Sequence, residues 1–319
     1  LKTVNSLSGG KTSSYIAAHY PADIDVFALV CIDDHNANAG SKTFKVDQHV
    51  RQMVNDKLQK YCSHENEFLA TAEDPIIIKT MFELEQHIGR EIVWVRGPGF
   101  QSSSFGKSML PNKKHRWCTT MWKIEPIFKF LFMYHGLPVK MRIGYRADEA
   151  DRADTFKDTF IYSTHCEFVY QKMGDKVPGN MKSVMLPYIS KTGTVNPDFY
   201  RGSSHPHRHR WQEIPFRIGE FPLIEAGITQ NDVQRYWQDK NVTFATDSNC
   251  QFCFWKKAMQ IRANYDQNKS IILAAAVVED MQDSTLRSDF SMREIKDIAP
   301  QLELFGHKQA GCHGGYCTS

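Results

Sequence analysis

Over roughly the first 150 residues, short apolar runs alternate with stretches of helical period. Strands are predicted at Thr3–Leu7, Val26–Ile32, Phe68–Thr71, Ile92–Val95 and Val139–Tyr145. Between them, Val50, Met53, Val54, Leu58 and Tyr61 recur at three and four residues, the signature of one helix face. Pro75 stands where a second helix would begin and Gly89 where it would stop. Thr119 or Thr120 is placed to cap a third, with Met121, Ile124, Phe128, Leu131 and Phe132 on one face and Gly136 at its end. Repeated strand–helix–strand order implies the α/β class, a mostly parallel sheet with helices on both faces. Such sheets bind ligands at the carboxyl ends of their strands, and chemistry is expected there.

Two segments lack periodicity and read as long loops, 96–115 and 171–210. Thr229 and Asp232 then form a capping-box pattern at the head of a helix, and Ser291 with Glu294 gives another helix-start signal. The chain therefore divides into an α/β domain over 1–245 and a helical region over 246–319.

Charge changes the picture little. Lys+Arg number 39 against 36 Asp+Glu, a net +3, which excludes a polycation that binds nucleic acid by bulk charge. The longest apolar run, Ile271–Val278, is far shorter than the ~20 residues of a membrane span. The first residues show no basic stretch followed by an apolar core, so a cytoplasmic location and no membrane partner are expected. Eight cysteines in such a chain suggest metal ligation before disulfides.

The first predicted strand runs into Ser8-Gly9-Gly10-Lys11-Thr12-Ser13. Paired glycines let a backbone approach a ligand closely, and the amides of a following helix, with nearby hydroxyls and the Lys11 ammonium, suit phosphate oxygens. A tight turn that binds nothing is the alternative. A Walker A loop is excluded, because it needs a glycine five positions before Gly10 and Asn5 stands there. Asp33 and Asp34 follow the second strand, where a carboxylate either holds a ribose hydroxyl or magnesium or simply begins a loop. Lys113, Lys114, Arg116 and Lys123 surround Cys118 with positive charge, which favours bound anions and lowers a nearby thiol pKa. Cys118 is thus a candidate thiolate, as a sulfur-carrying nucleophile or as an extra metal ligand, with a buried, inert cysteine as the alternative. His205, His207 and His209 alternate within the second loop and read as part of a solvated basic segment.

Four motifs in order carry a family resemblance. Ser8–Ser13 resembles the pyrophosphatase-loop pattern Ser-Gly-Gly-x-Asp-Ser of the adenine-nucleotide α-hydrolase superfamily, with Thr12 where many members have Asp. His115–Pro126 resembles the Arg-x-Cys-Thr-x-x-x-Lys-x-x-Pro segment of its phosphoadenylylsulfate-reductase and DNA-phosphorothioation sulfurtransferase branch. Gly144-Tyr145-Arg146-Ala147-Asp148-Glu149, followed by Arg152, is similar to another segment of that branch, and Phe221–Trp237 to a fourth. The resemblance implies that ATP, or an adenylylsulfate-type nucleotide, with Mg²⁺, is held by Ser8–Ser13, Asp33, Arg116, Arg146, Glu149 and Arg152. It also implies that Lys11, Cys118 and Arg146 take part in the reaction.

Cys250-Gln251-Phe252-Cys253 and Cys312-His313-Gly314-Gly315-Tyr316-Cys317 have the short spacings that let four thiolates share one metal. Such a set closes a Zn²⁺ site or holds a [4Fe–4S] cluster; the resemblance favours iron–sulfur. The expected activity is cleavage of ATP to AMP and pyrophosphate in support of sulfur transfer, with a sulfur-donor protein and a nucleic-acid acceptor as candidate partners. Two alternatives stand beside it: an adenylylsulfate or phosphoadenylylsulfate reductase, and a non-catalytic nucleotide sensor or nucleic-acid-binding protein with structural zinc.

Overall fold

The computed structural model describes residues 1–32, 46–163 and 211–298. Asp33, Asp34, the 171–210 loop with its alternating histidines, Cys166, Cys312 and Cys317 lie outside the described residues.

Strand β1 (Thr3–Leu7) passes through helix α1 (Lys11–His19) into β2 (Ile24–Leu29). The chain leaves the main sheet at Val30 and forms β3 (Cys31–Ile32); helix α2 (Gln48–Cys62) leads to β4 (Ala70–Thr71), which pairs antiparallel with β3. Helix α3 (Ile76–Ile88) precedes β5 (Ile92–Arg96), followed by α4 (Phe100–Lys107), α5 (Glu125–Tyr134) and β6 (Val139–Arg142). An antiparallel ribbon of β7 (Thr159–Ser163) and β8 (Trp211–Pro215) comes before β9 (Arg217–Glu220). Helices α6 (Gln230–Trp237), α7 (Ala258–Gln267) and α8 (Lys269–Gln282) complete the described elements used below. The main sheet has the order β5-β2-β1-β6-β9, and every pairing in it is parallel.

Strand β2 is buried at all six positions, and its side chains alternate between two cores. Ile24, Val26 and Ala28 join Val4, Met141, Phe128 and Leu131 on one face. Phe27 and Leu29 join Leu7, Trp94, Ile77, Met81 and Trp237 on the other. Both faces of the sheet are therefore covered, as the strand–helix alternation predicts. A third cluster joins Val30, Ile32, Phe100 and Trp122 to Phe252, Ile261 and Ile272, so the 246–298 region packs on the end of the α/β unit.

Three departures from the sequence pattern have local causes. The predicted strand Val26–Ile32 breaks at Val30, whose carbonyl accepts from Ala72 N (2.9 Å) and Thr71 Oγ1 (3.0 Å) and whose amide donates to Glu73 Oε2 (3.4 Å). The expected 96–115 loop contains α4, because Phe100 is fully buried and Ser103 Oγ bonds back to Gly99 O (2.5 Å) while accepting from Trp122 Nε1 (2.8 Å). Neither Thr119 nor Thr120 caps the third helix. Helical backbone begins at Trp117 and runs through a π-turn, Thr120–Ile124, before α5. Pro126, which has no amide hydrogen to give and crowds the preceding turn, enters just after that widened turn. The other signals hold: Gly89 ends α3 at φ +64°, and Thr229 and Asp232 form the capping box of α6.

Candidate functional site

The chain steps from β1 to β2 on one side and later places β6 on the other, so the strand order reverses at the β1–β6 pair, the place where parallel α/β sheets take their ligands. The glycine loop enters it from β1. Gly9 lies at φ +73°, and a Cβ there would come within 2.4 Å of Ile77 Cγ2, so only glycine fits this turn. The Ser13 hydroxyl closes the loop: it accepts from Ser8 N (3.1 Å), lies 3.1 Å from Ser8 Oγ and donates to Gly10 O (3.1 Å). These bonds turn both hydroxyls inward. They hold the shape of the loop.

From β6 the segment Ile143–Arg146 closes the other wall. A Cβ on Gly144 would lie 3.2 Å from Ser13 N, so the two loops meet backbone to backbone. Arg146 then reaches across: its Nη1 donates to Thr12 Oγ1 (3.2 Å). Asp148 holds the same guanidinium through Nε (3.1 Å), and Glu149 through Nη1 (3.1 Å). Glu149 also accepts from Arg152 Nη1 (2.6 Å), and Arg152 stacks on the Tyr145 ring at 4.5 Å. The i,i+4 pair Asp148–Arg152 allowed by the sequence does not form, because a 3₁₀ turn over Ala147–Thr155 puts Glu149 between the arginines instead. Arg146, which stands where the motif places an anion ligand, is thus oriented by carboxylates and aimed at the glycine loop. Lys11 is exposed at the mouth, its Nζ 5.9 Å from the Phe244 ring, and Trp237 Nε1 fixes its carbonyl (3.0 Å).

A second group of residues gathers at the Cys118 end. Cys118, Cys250 and Cys253 lie within electrostatic reach of one another. Lys123 and Glu73 form a buried ion pair beside them (2.8 Å). Burial is the main cause that pushes the Cys118 thiol up to about 11; the Arg116 charge opposes it only weakly. The expected low-pKa thiolate is therefore corrected, since desolvation outweighs the flanking cations. Burial also raises the Cys250 and Cys253 thiols. Arg116, expected at the nucleotide, has its guanidinium 5.3 Å from the Trp255 ring beside this thiol group.

Among the described residues no group of three or more His, Cys, Asp or Glu side chains is arranged to hold a metal ion. Cys250 and Cys253 are the two described members of the expected four-thiol set, and Cys118 is within electrostatic reach of them without completing a site.

Two residues in this region lay outside the sequence expectation. Glu73 follows the predicted strand ending at Thr71, so a carboxylate just past a strand end was the available signal. Ser248 sits against the glycine loop, its Oγ 3.3 Å from where a Gly10 Cβ would stand. Only its position two residues before Cys250 could have flagged it. Among the described residues no helix is long and apolar enough to cross a membrane. No protein-family model, curated protein or solved structure matches this chain.

Proposed function

We propose that this chain is a nucleotide-dependent enzyme with an adenine-nucleotide α-hydrolase-like fold, of the phosphoadenylylsulfate-reductase-like kind. In this reading it cleaves ATP at the α-phosphorus in support of sulfur transfer. The observation that carries the reading is the reach of Arg146 to Thr12 between the carboxyl ends of β6 and β1. It joins two motifs 134 residues apart at the place where parallel α/β sheets take their ligands.

The phosphates would lie on the amides after Gly9 and Gly10 and at the start of α1, with Lys11 at the mouth and Arg146 on the opposite wall. An acceptor oxygen forms a bond to the α-phosphorus as the bond to pyrophosphate breaks, and the leaving group takes up the negative charge. Fixed amides and cations stabilise that developing charge without reorganising. Asp148 and Glu149 keep the Arg146 guanidinium in place between turnovers. Cys118, with Cys250 and Cys253, stands as a sulfur-handling group, and a metal completed by Cys312 and Cys317 would supply redox chemistry if iron–sulfur or closure of the fold if zinc.

Incubation with ATP, Mg²⁺, nucleic acid and a sulfide donor should yield pyrophosphate as the acceptor oxygen is adenylylated and AMP as sulfur displaces it, and Lys11→Ala should slow that turnover at least about tenfold, one lost transition-state charge contact. Unchanged turnover in Lys11→Ala removes the assignment. One observation favours a second reading, a nucleotide sensor: position 12 offers a neutral hydroxyl already engaged by Arg146. Tight ATP binding with no AMP formed would select it.

A further inference from the structure

We propose that the surface centred on Trp255 binds single-stranded nucleic acid. The turn that carries the cysteine pair reads Cys250-Gln251-Phe252-Cys253-Phe254-Trp255, and its two phenylalanines are buried at 2% and 4% exposure. Trp255 points the other way and is 36% exposed. Its backbone is held from below, because Arg287 Nη1 donates to the carbonyls of Phe254 (3.0 Å) and Lys256 (2.5 Å). The indole is therefore presented on a fixed turn.

Cations surround it. Lys113 Nζ stands 5.7 Å from the ring centroid and the Arg116 guanidinium 5.3 Å. Lys114, His115 and Lys257 are exposed beside them in the chain. Two acids nearby are already paired, Asp289 in a fork with Arg287 (2.8 and 2.6 Å) and Asp247 with Lys256 (2.6 Å). An exposed indole with cations over its ring matches a chain that alternates bases with phosphates: the phosphates draw Lys113, Lys114 and Arg116 to themselves, and a base takes the place of a cation on the ring. An acidic peptide would satisfy the charges and leave the indole unused. Duplex nucleic acid keeps its bases inside the stack, so an unpaired strand is the better fit.

The position gives this surface a purpose. Arg116 is two residues before Cys118 and Trp255 two residues after Cys253, so a bound strand would run along the rim of the thiol group. What is done to the strand there rests on the function proposed above; its binding does not.

The test is fluorescence anisotropy of a labelled oligothymidylate of about 12 nucleotides, with the full chain. Trp255→Ala should weaken binding about tenfold, the loss of one stacked base. Trp255→Phe, which keeps a ring, should stay within about threefold of the parent. Lys113→Ala with Lys114→Ala should lower the slope of log affinity against log salt by about 1.4, two phosphate contacts on a single strand. Three results each overturn the proposal: no binding at about 50 mM salt, equal affinity in Trp255→Ala, or displacement by polyglutamate as efficient per charge as by unlabelled oligonucleotide. ATP binding measured on the same proteins separates the two ideas. Oligonucleotide binding without ATP binding keeps this surface and removes the nucleotide reading. ATP binding with an unaltered Trp255→Ala affinity does the reverse.

Discussion

At Gly9 two costs fall on one residue: the backbone lies at φ +73°, and a Cβ would stand 2.4 Å from Ile77 Cγ2. Gly89 shares the first cost, at φ +64°, but has no atom within 4 Å of the corresponding position. Gly89→Ala should therefore cost only the left-handed backbone penalty, about 1 kcal/mol. Gly9→Ala should cost about 2–4 kcal/mol, because the overpacking of the Ile77 side chain adds to the same penalty. Thermal unfolding of the two variants gives the comparison directly, and equal losses would mean that Ile77 moves aside freely. Cys118 shows the opposite limit of residue-level reading. The sequence displays Lys113, Lys114, Arg116 and Lys123 around it, and those charges point to a thiolate. Burial is not written in a charge pattern, and in the folded chain it decides the direction of the shift.

Between elements, the amino ends of β1, β2 and β5 are tied together by one buried carboxylate. Asp25 on β2 accepts from Asn5 Nδ2 on β1 (2.8 Å) and from Arg90 Nε and Nη2 (3.1 and 3.0 Å), just before β5. Burial holds the Asp25 carboxyl above its ordinary range despite these donors. Arg90→Met removes the largest opposing charge and should raise it further. The folded variant then keeps a proton that the unfolded chain releases above a pKa of about 3.9. Its stability deficit against the parent must therefore grow as pH rises, by at most about 1.4 kcal/mol per pH unit. At pH 7 the deficit should reach about 1–3 kcal/mol, less than for a fully buried pair because Arg90 is partly exposed and Arg142 remains. Urea unfolding at pH 5 and pH 7 measures it, and equal deficits would show that Asp25 is not the group responsible. Strands β1, β2 and β5 and helix α2 were legible in the sequence from their apolar pattern, and α3 from Pro75 and Gly89 at its ends. Strand β9 was not, because Arg217-Ile218-Gly219-Glu220 carries neither alternation nor a run of β-branched residues; its place is set by pairing with β6. Helix α4 was hidden for a related reason, since its serines are good turn formers and only the burial of Phe100 and the Ser103–Trp122 bond favour a helix.

In the whole molecule, the glycine loop and the thiol group are not separate centres but the two ends of one segment. Phe244 lies under the Lys11 ammonium, Ser248 stands against Gly10, and Lys256 reaches back to Asp247 (2.6 Å) across the cysteine turn. Gln251 N then ties that turn to Ala72 O (2.7 Å), one residue before Glu73. The motifs at each end could be read from the chain, but their union could not, because it depends on contacts between residues some 240 positions apart that no local pattern records. This continuity has a thermodynamic consequence. A change at the thiol end that shifts the 244–256 segment must alter the free energy of whatever occupies the glycine loop, and the effect is reciprocal. Cys250→Ser, a near-isosteric change outside the loop, should therefore weaken ATP binding about fivefold or more, the lower end of ordinary coupling between sites. In the parent, saturating ATP should also slow alkylation of Cys250 by a maleimide, a separate readout of the same segment. Calorimetry measures ATP binding and mass spectrometry of the modified thiol the alkylation. If ATP binds Cys250→Ser and the parent equally well, the segment is a passive tether and the two ends act independently.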